Sequence, residues 1–151
     1  MAMIGREVDL SHGYSVEILE RDMARELATA TDDFHRFMSV SMGVNLNIGT
    51  YRVRAETGLP SECPPDSKEA FHMEIGDTET AIVARDADGM RRGLFYPQDE
   101  MLIRRAPLIP FGSYSRWAQI EDRIIHSPVA PYRWLSGWEL EQDQNFIQMS
   151  T

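Results

Sequence analysis

Four short runs of strand-like residues, spaced about ten residues apart, constrain the fold of this chain more than any other feature. Turn-forming residues separate the runs at 76–79, 86–89 and 97–99. The runs themselves are Ala70–Ile75, Thr80–Arg85, Met90–Tyr96 and Glu100–Arg105. Regular runs of this length with turn residues between them are typical of consecutive β-hairpins. We therefore predict an antiparallel meander over residues 70–105.

The N-terminal third has the pattern of an amphipathic helix. Apolar residues recur there at helical spacing: Leu19, Met23, Leu27, Phe34 and Met38. This stripe predicts a helix whose apolar face lies on a sheet. Ser15 is a suitable N-cap, and Gly43 is a suitable C-terminal stop. The Ala-Thr-Ala-Thr segment at residues 28–31 favours a break, so one helix and two short helices both fit the pattern.

The remaining segments complete a predicted α+β fold. Residues 44–48 alternate as in a strand, with a bulge expected at Gly49, and residues 56–69 carry three prolines in a long loop. Residues 117–125 fit either a strand or a helix, and residues 132–140 fit a further strand. We expect a single domain over residues 1–151, with the helix or two short helices packed on an antiparallel β-meander of about five to seven strands.

Charge and composition exclude several classes of protein. The net charge of −9 argues against general nucleic-acid binding, which needs a positive surface. No window is apolar enough for a membrane span, and the N-terminus has no signal-peptide pattern, so we expect a cytoplasmic protein. Cys63 is the one cysteine, and it lies in an acidic, proline-rich stretch that would not activate it. We interpret it as an incidental thiol.

Arginines concentrate in the second half of this acidic chain. Residues 90–133 hold seven arginines and four acids, and fourteen of the fifteen basic residues of the chain are arginine. If residues 97–99 form a hairpin turn, Arg91 and Arg92 come opposite Arg104 and Arg105. Four like charges need neighbouring acids or an anion. Internal pairing with acidic residues and binding of a phosphate or a partner's carboxylates are both possible explanations.

Large aromatic residues concentrate in the last third. Trp117, Trp134 and Trp138 lie there, together with two tyrosines. Such residues anchor protein interfaces, and they also fill the cores of small domains. The sequence leaves both interpretations open.

His72 and Glu74 are the only histidine and carboxylate pair that we single out for possible chemistry. On a strand they share one face, opposite Phe71, Met73 and Ile75. They could act as metal ligands or as an acid–base pair, or they could simply occupy the solvated face. The sequence has no phosphate loop, no nucleophile elbow and no metal-binding motif of known spacing. We predict no metal site and no cofactor.

One ordered set of short motifs resembles the toxin-type ADP-ribosyltransferases. The motifs are Arg6 in Ile-Gly-Arg-Glu-Val, Ser39 and Ser41 in Phe-Met-Ser-Val-Ser, and Gln98 and Glu100 in Tyr-Pro-Gln-Asp-Glu. The resemblance implies that Arg6 grips an NAD phosphate and that Ser39 and Ser41 brace the site. It also implies that Gln98 orients the acceptor and that Glu100 is the catalytic carboxylate. The chain departs from the family pattern because valine replaces the middle threonine.

The two functional hypotheses belong to different classes. The first is a non-catalytic protein-interaction domain, such as an assembly factor, an inhibitor or an immunity-type partner, with an acidic body and a local arginine-rich face. Its binding residues would be those four arginines and the three tryptophans, and a homo-oligomer is possible. The alternative is an NAD-dependent ADP-ribosyltransferase-like enzyme.

Overall fold

The computed structural model describes residues 6–47 and 50–120. Its three helices and seven strands confirm the α+β class. In chain order these are β1 (Glu7–Asp9), β2 (Tyr14–Ile18), α1 (Arg21–Glu26), α2 (Ala28–Ser41), β3 (Tyr51–Thr57), β4 (Phe71–Ile75), β5 (Glu79–Ala84), α3 (Ala87–Arg104), β6 (Leu108–Pro110) and β7 (Gly112–Arg116). Contacts group the chain into two units, residues 1–119 and 120–151, and the account below concerns the first. The single domain over 1–151 therefore stays a prediction.

The main sheet has five strands in the order β2-β3-β5-β4-β7. Strands β2, β3 and β5 run parallel, whereas β4 is antiparallel to both β5 and β7. A separate antiparallel ribbon joins β1 to β6. The parallel pairs depart from a pure meander, because the chain crosses from β2 to β3 through the two N-terminal helices.

The N-terminal helical segment is two helices, as one of the two sequence interpretations expected. The break is at Leu27, which closes α1 and opens α2, so residues 28–31, where the break was expected, are the first turn of α2. Leu27, Phe34 and Met38 of the predicted stripe are buried, but Leu19 precedes α1 and is 44% exposed, so only the second part of the stripe is confirmed. Gly43 follows the helix with a φ of +67°, a conformation that glycine adopts without strain. The predicted N-cap was wrong, because Ser15 lies inside β2.

The first predicted hairpin is present. Strands β4 and β5 pair antiparallel, with Phe71 opposite Ala84 and Ile75 opposite Thr80. The alternation of β4 is also as expected, because Phe71, Met73 and Ile75 are buried while His72 and Glu74 face the other way.

The second half of the predicted meander was wrong, because residues 87–104 form the helix α3. Asp86 is the N-cap: its side chain accepts a hydrogen bond of 2.7 Å from the backbone N–H of Gly89. The residues that suggested a hairpin turn therefore begin a helix. Its buried face lies on the sheet and consists of Gly89, Met90, Gly93, Leu94, Pro97 and Met101.

Other strand predictions have mixed outcomes. The run at 44–48 is not a strand in its described part, where only Leu46 makes an isolated bridge, to Tyr14. The strand that the structure has in this region is β3, which begins at Tyr51 and buries Tyr51, Val53 and Ala55. The bulge predicted at Gly49, residues 121–125 of the ambiguous segment and the strand predicted at 132–140 lie outside the described residues.

The core lies between the helices and one face of the sheet. Fully buried side chains come from both layers, among them Phe34 and Met38 of α2, Met90 and Leu94 of α3, and Ile82 of β5. Thr80 is buried as well, and its hydroxyl is hydrogen-bonded to the Tyr51 hydroxyl at 2.8 Å. The second face of the sheet carries polar residues. Within the described residues, no helix is both long and apolar enough to cross a membrane.

Candidate functional site

The four predicted arginines lie along one helix rather than around the end of a hairpin. Arg91 and Arg92 are in the second turn of α3, Arg104 is its last residue and Arg105 is its C-cap. At 1.5 Å of rise per residue, Arg92 and Arg105 are about 20 Å apart along the axis. The expectation that the four guanidinium groups gather at one point was therefore wrong. Whether they bind an anion or a partner stays a prediction.

Three of these arginines contact acidic side chains of the same chain. Arg91 contacts Asp88, and Arg92 Nε lies 2.6 Å from Glu69 at the end of the long loop. These contacts are the internal pairing that one interpretation expected.

Arg104 is held by two carboxylates. Its guanidinium lies 2.6 Å from Glu7 in β1 and 2.5 Å from Glu100, one turn earlier in α3. These contacts, with the hydrogen bond to Glu7 as the largest contribution, raise the pKa of Arg104 above its usual value. The pair with Glu7 joins α3 to the β1–β6 ribbon, so Arg104 has a structural role in this arrangement.

The solvent face of α3 carries a second regular stripe. Its members follow one another at spacings of four, three, four and three residues: Arg91, Phe95, Gln98, Leu102 and Arg105. Residues at this spacing lie on one side of a helix. Phe95 is 38% exposed and Leu102 is 53% exposed, and Ile103 beside them is 75% exposed. The stripe therefore presents apolar side chains to solvent with an arginine at each end. We call it the α3 stripe.

The residues of the ADP-ribosyltransferase resemblance lie on separate elements. Arg6 precedes β1, contacts Asp77 and stacks over the Phe111 ring at 4.9 Å. Ser39 and Ser41 are at the end of α2.

The remaining two motif residues, Gln98 and Glu100, are in α3. Two residues apart on a helix, their side chains point in nearly opposite directions. The Gln98 amide donates to the Leu94 carbonyl of its own helix, and Glu100 is engaged with Arg104. The structure does not bring these motif residues into one constellation, and it does not test transferase activity.

The described residues include one of the three predicted tryptophans. Trp117 follows β7 and is partly buried. Trp134 and Trp138 lie outside the described residues. The choice between a docking surface and core filling therefore stays open.

A polar network occupies the second face of the sheet. His72 of β4 faces Ser115 of β7 across the strand pair, and Glu74 faces Ser113. His72 Nδ1 lies 2.8 Å from the Ser115 hydroxyl, and Nε2 lies 2.9 Å from the Glu74 carboxylate. The His72 side chain is 12% exposed. We call these residues the sheet network.

The long loop after β3 also reaches this network. Glu62 Oε2 lies 3.7 Å from His72 Nδ1. A hydrogen bond from Ser113 is the main cause that lowers the pKa of Glu74, and His72 lowers it further. Glu74 is therefore a carboxylate near neutral pH.

Sequence analysis identified only half of the sheet network. It placed His72 and Glu74 on one face, but it did not find the two serines, because β7 is about forty residues away in the chain. A Ser-x-Ser alternation in a strand was the available signal, and nothing in the sequence said which strand it would pair with. No group of three or more histidines, cysteines and carboxylates that could hold a metal ion is found within residues 6–47 and 50–120.

Comparisons with known proteins give a likeness of fold. Neither a family model nor a curated protein matches the sequence. Among solved structures, the β-hexosaminidase of Streptomyces plicatus in complex with the product GlcNAc is 17% identical with a TM-score of 0.51. The alignment covers 74% of this chain and 23% of that one.

Two further glycoside hydrolases are similar at lower scores. The GH20 β-N-acetylhexosaminidase from Streptomyces coelicolor A3(2) is 15% identical with a TM-score of 0.49 over 74% of this chain and 23% of its own. A GH138 enzyme that targets the pectin rhamnogalacturonan II is 16% identical with a TM-score of 0.49, over 67% of this chain and 12% of its own. This chain thus spans less than a quarter of each of these proteins, and its likeness to the Streptomyces plicatus enzyme is one of fold alone.

Proposed function

We propose that this chain is a protein-interaction domain that docks through the α3 stripe. The observation that carries the proposal is the exposed pair Phe95 and Leu102, aligned on one face of α3 between Arg91 and Arg105. Aromatic, apolar and arginine side chains together are the typical composition of binding hot spots. The interaction requires no catalytic group, as expected of an assembly factor, an inhibitor or an immunity-type partner.

The α3 stripe is not needed to fold the helix. The opposite side of α3 already buries Met90, Leu94 and Met101 against the sheet. A surface helix ordinarily has one apolar stripe, facing its own core. Phe95 and Leu102 are an additional exposed apolar pair seven residues apart, and a seven-residue spacing is the repeat with which helices pack side by side. This supports a helix of another molecule as the element that packs on α3.

Charge selects the partner. Arg91 and Arg105 are about 21 Å apart along the helix axis, so the α3 stripe suits a partner helix of about four turns. A second copy of α3 would bring arginines together in either direction: Arg91 meets Arg91 if the copies are parallel, and Arg105 if they are antiparallel. Carboxylates at both ends of a partner's apolar stripe would instead pair with Arg105, and with Arg91 in exchange for its present partner Asp88. We therefore propose an acidic-flanked helix of another protein as the occupant.

The likeness of fold is compatible with a modular role. The part of the Streptomyces plicatus enzyme that resembles this chain is 23% of that chain, so the fold occurs within a larger protein. The proposal includes a cytoplasmic location, and it treats a homo-oligomer as the competing occupant of the same surface.

The test uses two synthetic helical peptides with the same apolar residues at spacings of four and three. One peptide has glutamates at both ends, and the other has lysines. We expect the glutamate peptide to bind more tightly, with an affinity that falls as salt rises. Leu102→Asp should weaken that binding at least about tenfold, the scale of one hot-spot residue. Fluorescence anisotropy gives the dissociation constants.

A control variant carries the same leucine-to-aspartate substitution at a site away from α3. Leu59 is 75% exposed in the loop after β3, so Leu59→Asp adds an identical charge away from α3 and should leave binding unchanged. Equal affinity for the two peptides, or equal loss in both variants, would contradict the proposal. Sedimentation of the free protein separates the competing occupant: dimers that Leu102→Asp dissociates would assign the α3 stripe to a second copy.

The ADP-ribosyltransferase alternative has a separate test. The protein is mixed with NAD, and binding is followed by thermal shift while released nicotinamide is measured. Turnover that Glu100→Gln abolishes without lowering the melting temperature would support the alternative. Because Glu100 also contacts Arg104, the stability of that variant must be measured alongside. If the folded protein neither binds NAD nor releases nicotinamide, the ADP-ribosyltransferase alternative is excluded.

A further inference from the structure

The sheet network places a serine, a histidine and a carboxylate in hydrogen-bond sequence. The Ser115 hydroxyl lies 2.8 Å from His72 Nδ1, and the Glu74 carboxylate lies 2.9 Å from His72 Nε2. The three side chains come from neighbouring antiparallel strands, in which His72 is directly opposite Ser115. Strands of one sheet hold their side chains more rigidly than loops do, so the geometry is set by the backbone register.

The network also fixes which ring nitrogen accepts the serine proton. The Glu74 carboxylate can only accept at Nε2, so neutral His72 carries its proton on Nε2. Nδ1 is then an acceptor, and it faces the Ser115 hydroxyl. When Nδ1 takes up a proton, Glu74 at 2.9 Å and Glu62 at 3.7 Å both stabilise the resulting imidazolium.

We propose that Ser115 is a nucleophile toward small activated carboxylic esters, with His72 as its general base and Glu74 as the positioning residue. This activity is separate from docking through α3, since the sheet network lies on the face of the sheet opposite the helices. A serine paired with a base that is oriented by a third group is the general arrangement of activated nucleophiles.

The reaction is an acyl transfer in two steps. Ser115 Oγ forms a bond to the carbonyl carbon while its proton moves to Nδ1 of His72. The bond from that carbon to the leaving oxygen breaks, and the departing alcohol takes the proton from Nδ1. Water then attacks the acyl-serine, passing its proton through Nδ1 to Ser115 Oγ, and the carboxylic acid leaves. The atoms balance without a metal or a redox cofactor.

The substrate class follows from the position of the serine. Ser115 is partly exposed on the second face of the sheet, beside the loop that carries Glu62. Two carboxylates lie beside the His72 ring, Glu62 at 3.7 Å and Glu74 at 2.9 Å. Anionic esters would be repelled there, so neutral or cationic esters are the expected substrates.

A fluorophosphonate probe tests the nucleophile directly. The full chain is incubated with the probe, and modified peptides are mapped by mass spectrometry. We expect a phosphonate on Ser115 Oγ with loss of fluoride, and no adduct there in Ser115→Ala. His72→Gln should slow the labelling about 100-fold, which is the typical contribution of a general base. Hydrolysis of p-nitrophenyl acetate should fall in parallel.

Controls separate reactivity from accessibility and folding. Ser15 lies on the second face in β2 and is partly exposed, so Ser15→Ala should leave the labelling rate unchanged. Glu74→Gln should shift the pH profile of labelling, and Glu74→Asp should restore part of the rate, whereas a merely structural Glu74 would change neither. Circular dichroism confirms that each variant is folded. Labelling that is absent, that occurs on other serines instead, or that is insensitive to His72→Gln overturns the proposal.

Discussion

At the scale of single residues, Glu20 is held by one threonine. Its carboxylate accepts 2.9 Å and 2.5 Å hydrogen bonds from the backbone N–H and the hydroxyl of Thr57 at the end of β3. The hydroxyl is the main cause that lowers the pKa of Glu20 below its usual value. The interaction joins the start of α1 to the sheet, although the two residues are 37 positions apart.

This interaction predicts a pH-dependent effect of Thr57→Val. Because the folded pKa is depressed, the contribution of Glu20 to stability is present above pH 4.5 and is lost as the pH falls through the folded pKa. Thr57→Val should therefore lower the free energy of unfolding by about 1–2 kcal/mol near pH 7, and by less near pH 3. Urea titrations at both pH values measure the difference. Thr57→Ser keeps the hydroxyl and should show a smaller loss, and a loss independent of pH would contradict the assignment.

Residue-scale properties were predictable where they depended on local pattern. The burial of Phe71, Met73 and Ile75 followed from alternation, and it is observed. The contacts that a buried residue makes with distant elements were not predictable. Cys63 is buried, with its thiol near the Phe71 and Arg116 carbonyls, and burial raises its pKa. The raised pKa agrees with an unreactive thiol, but no local pattern indicates that Cys63 lies against β4 and β7.

At the scale of elements, α3 shows why local pattern misled. Gly89, Gly93 and Pro97 are poor helix formers, and all three lie inside the helix. The glycines are there for close packing: a Cβ on Gly89 would lie 2.4 Å from the Ala70 carbonyl oxygen, and one on Gly93 would lie 2.8 Å from Ile82. Pro97 is buried and cannot donate to the Gly93 carbonyl. Tertiary packing thus outweighs the low helix propensity of these three residues. The sequence prediction relied on that propensity, so it assigned a turn and strands here.

Asp86, the N-cap of α3, stabilises both the helix and the loop before it. The Asp86 carboxylate accepts from the backbone N–H of Gly89 at 2.7 Å and of Glu69 at 3.2 Å, so it caps the helix and also holds the end of the long loop. Asp86→Ala should lower the free energy of unfolding by about 1–2 kcal/mol. Asp86→Ser keeps a capping oxygen and should cost less. Thermal and urea unfolding of the two variants provide the measurement, and equal losses would show that capping is not the cause.

At the scale of the whole molecule, the order of the strands was beyond the sequence. Within the described part of the main sheet, only β4 and β5 both pair with each other and follow one another without an intervening helix or strand. The other pairings join β2 to β3 across two helices, β3 to β5, and β4 to β7 across α3. Hydrophobic periodicity identifies a strand and its buried face, but it carries no information about which distant strand completes the hydrogen bonds. The sheet network depends on the β4–β7 pairing, so half of it could not be predicted.

The same strand order predicts which backbone hydrogen bonds of the sheet open most readily. Strands β3 and β5 each pair on both sides, whereas β7 pairs only with β4 among residues 6–47 and 50–120. Opening free energies are largest where backbone hydrogen bonds are central and buried. We expect the amides of Val53, Ala55 and Ile82 to exchange last, and those of Ser113 and Ser115 to exchange at least about tenfold faster. Hydrogen exchange followed by NMR resolves these positions. Equal protection of β5 and β7 would contradict this order of opening.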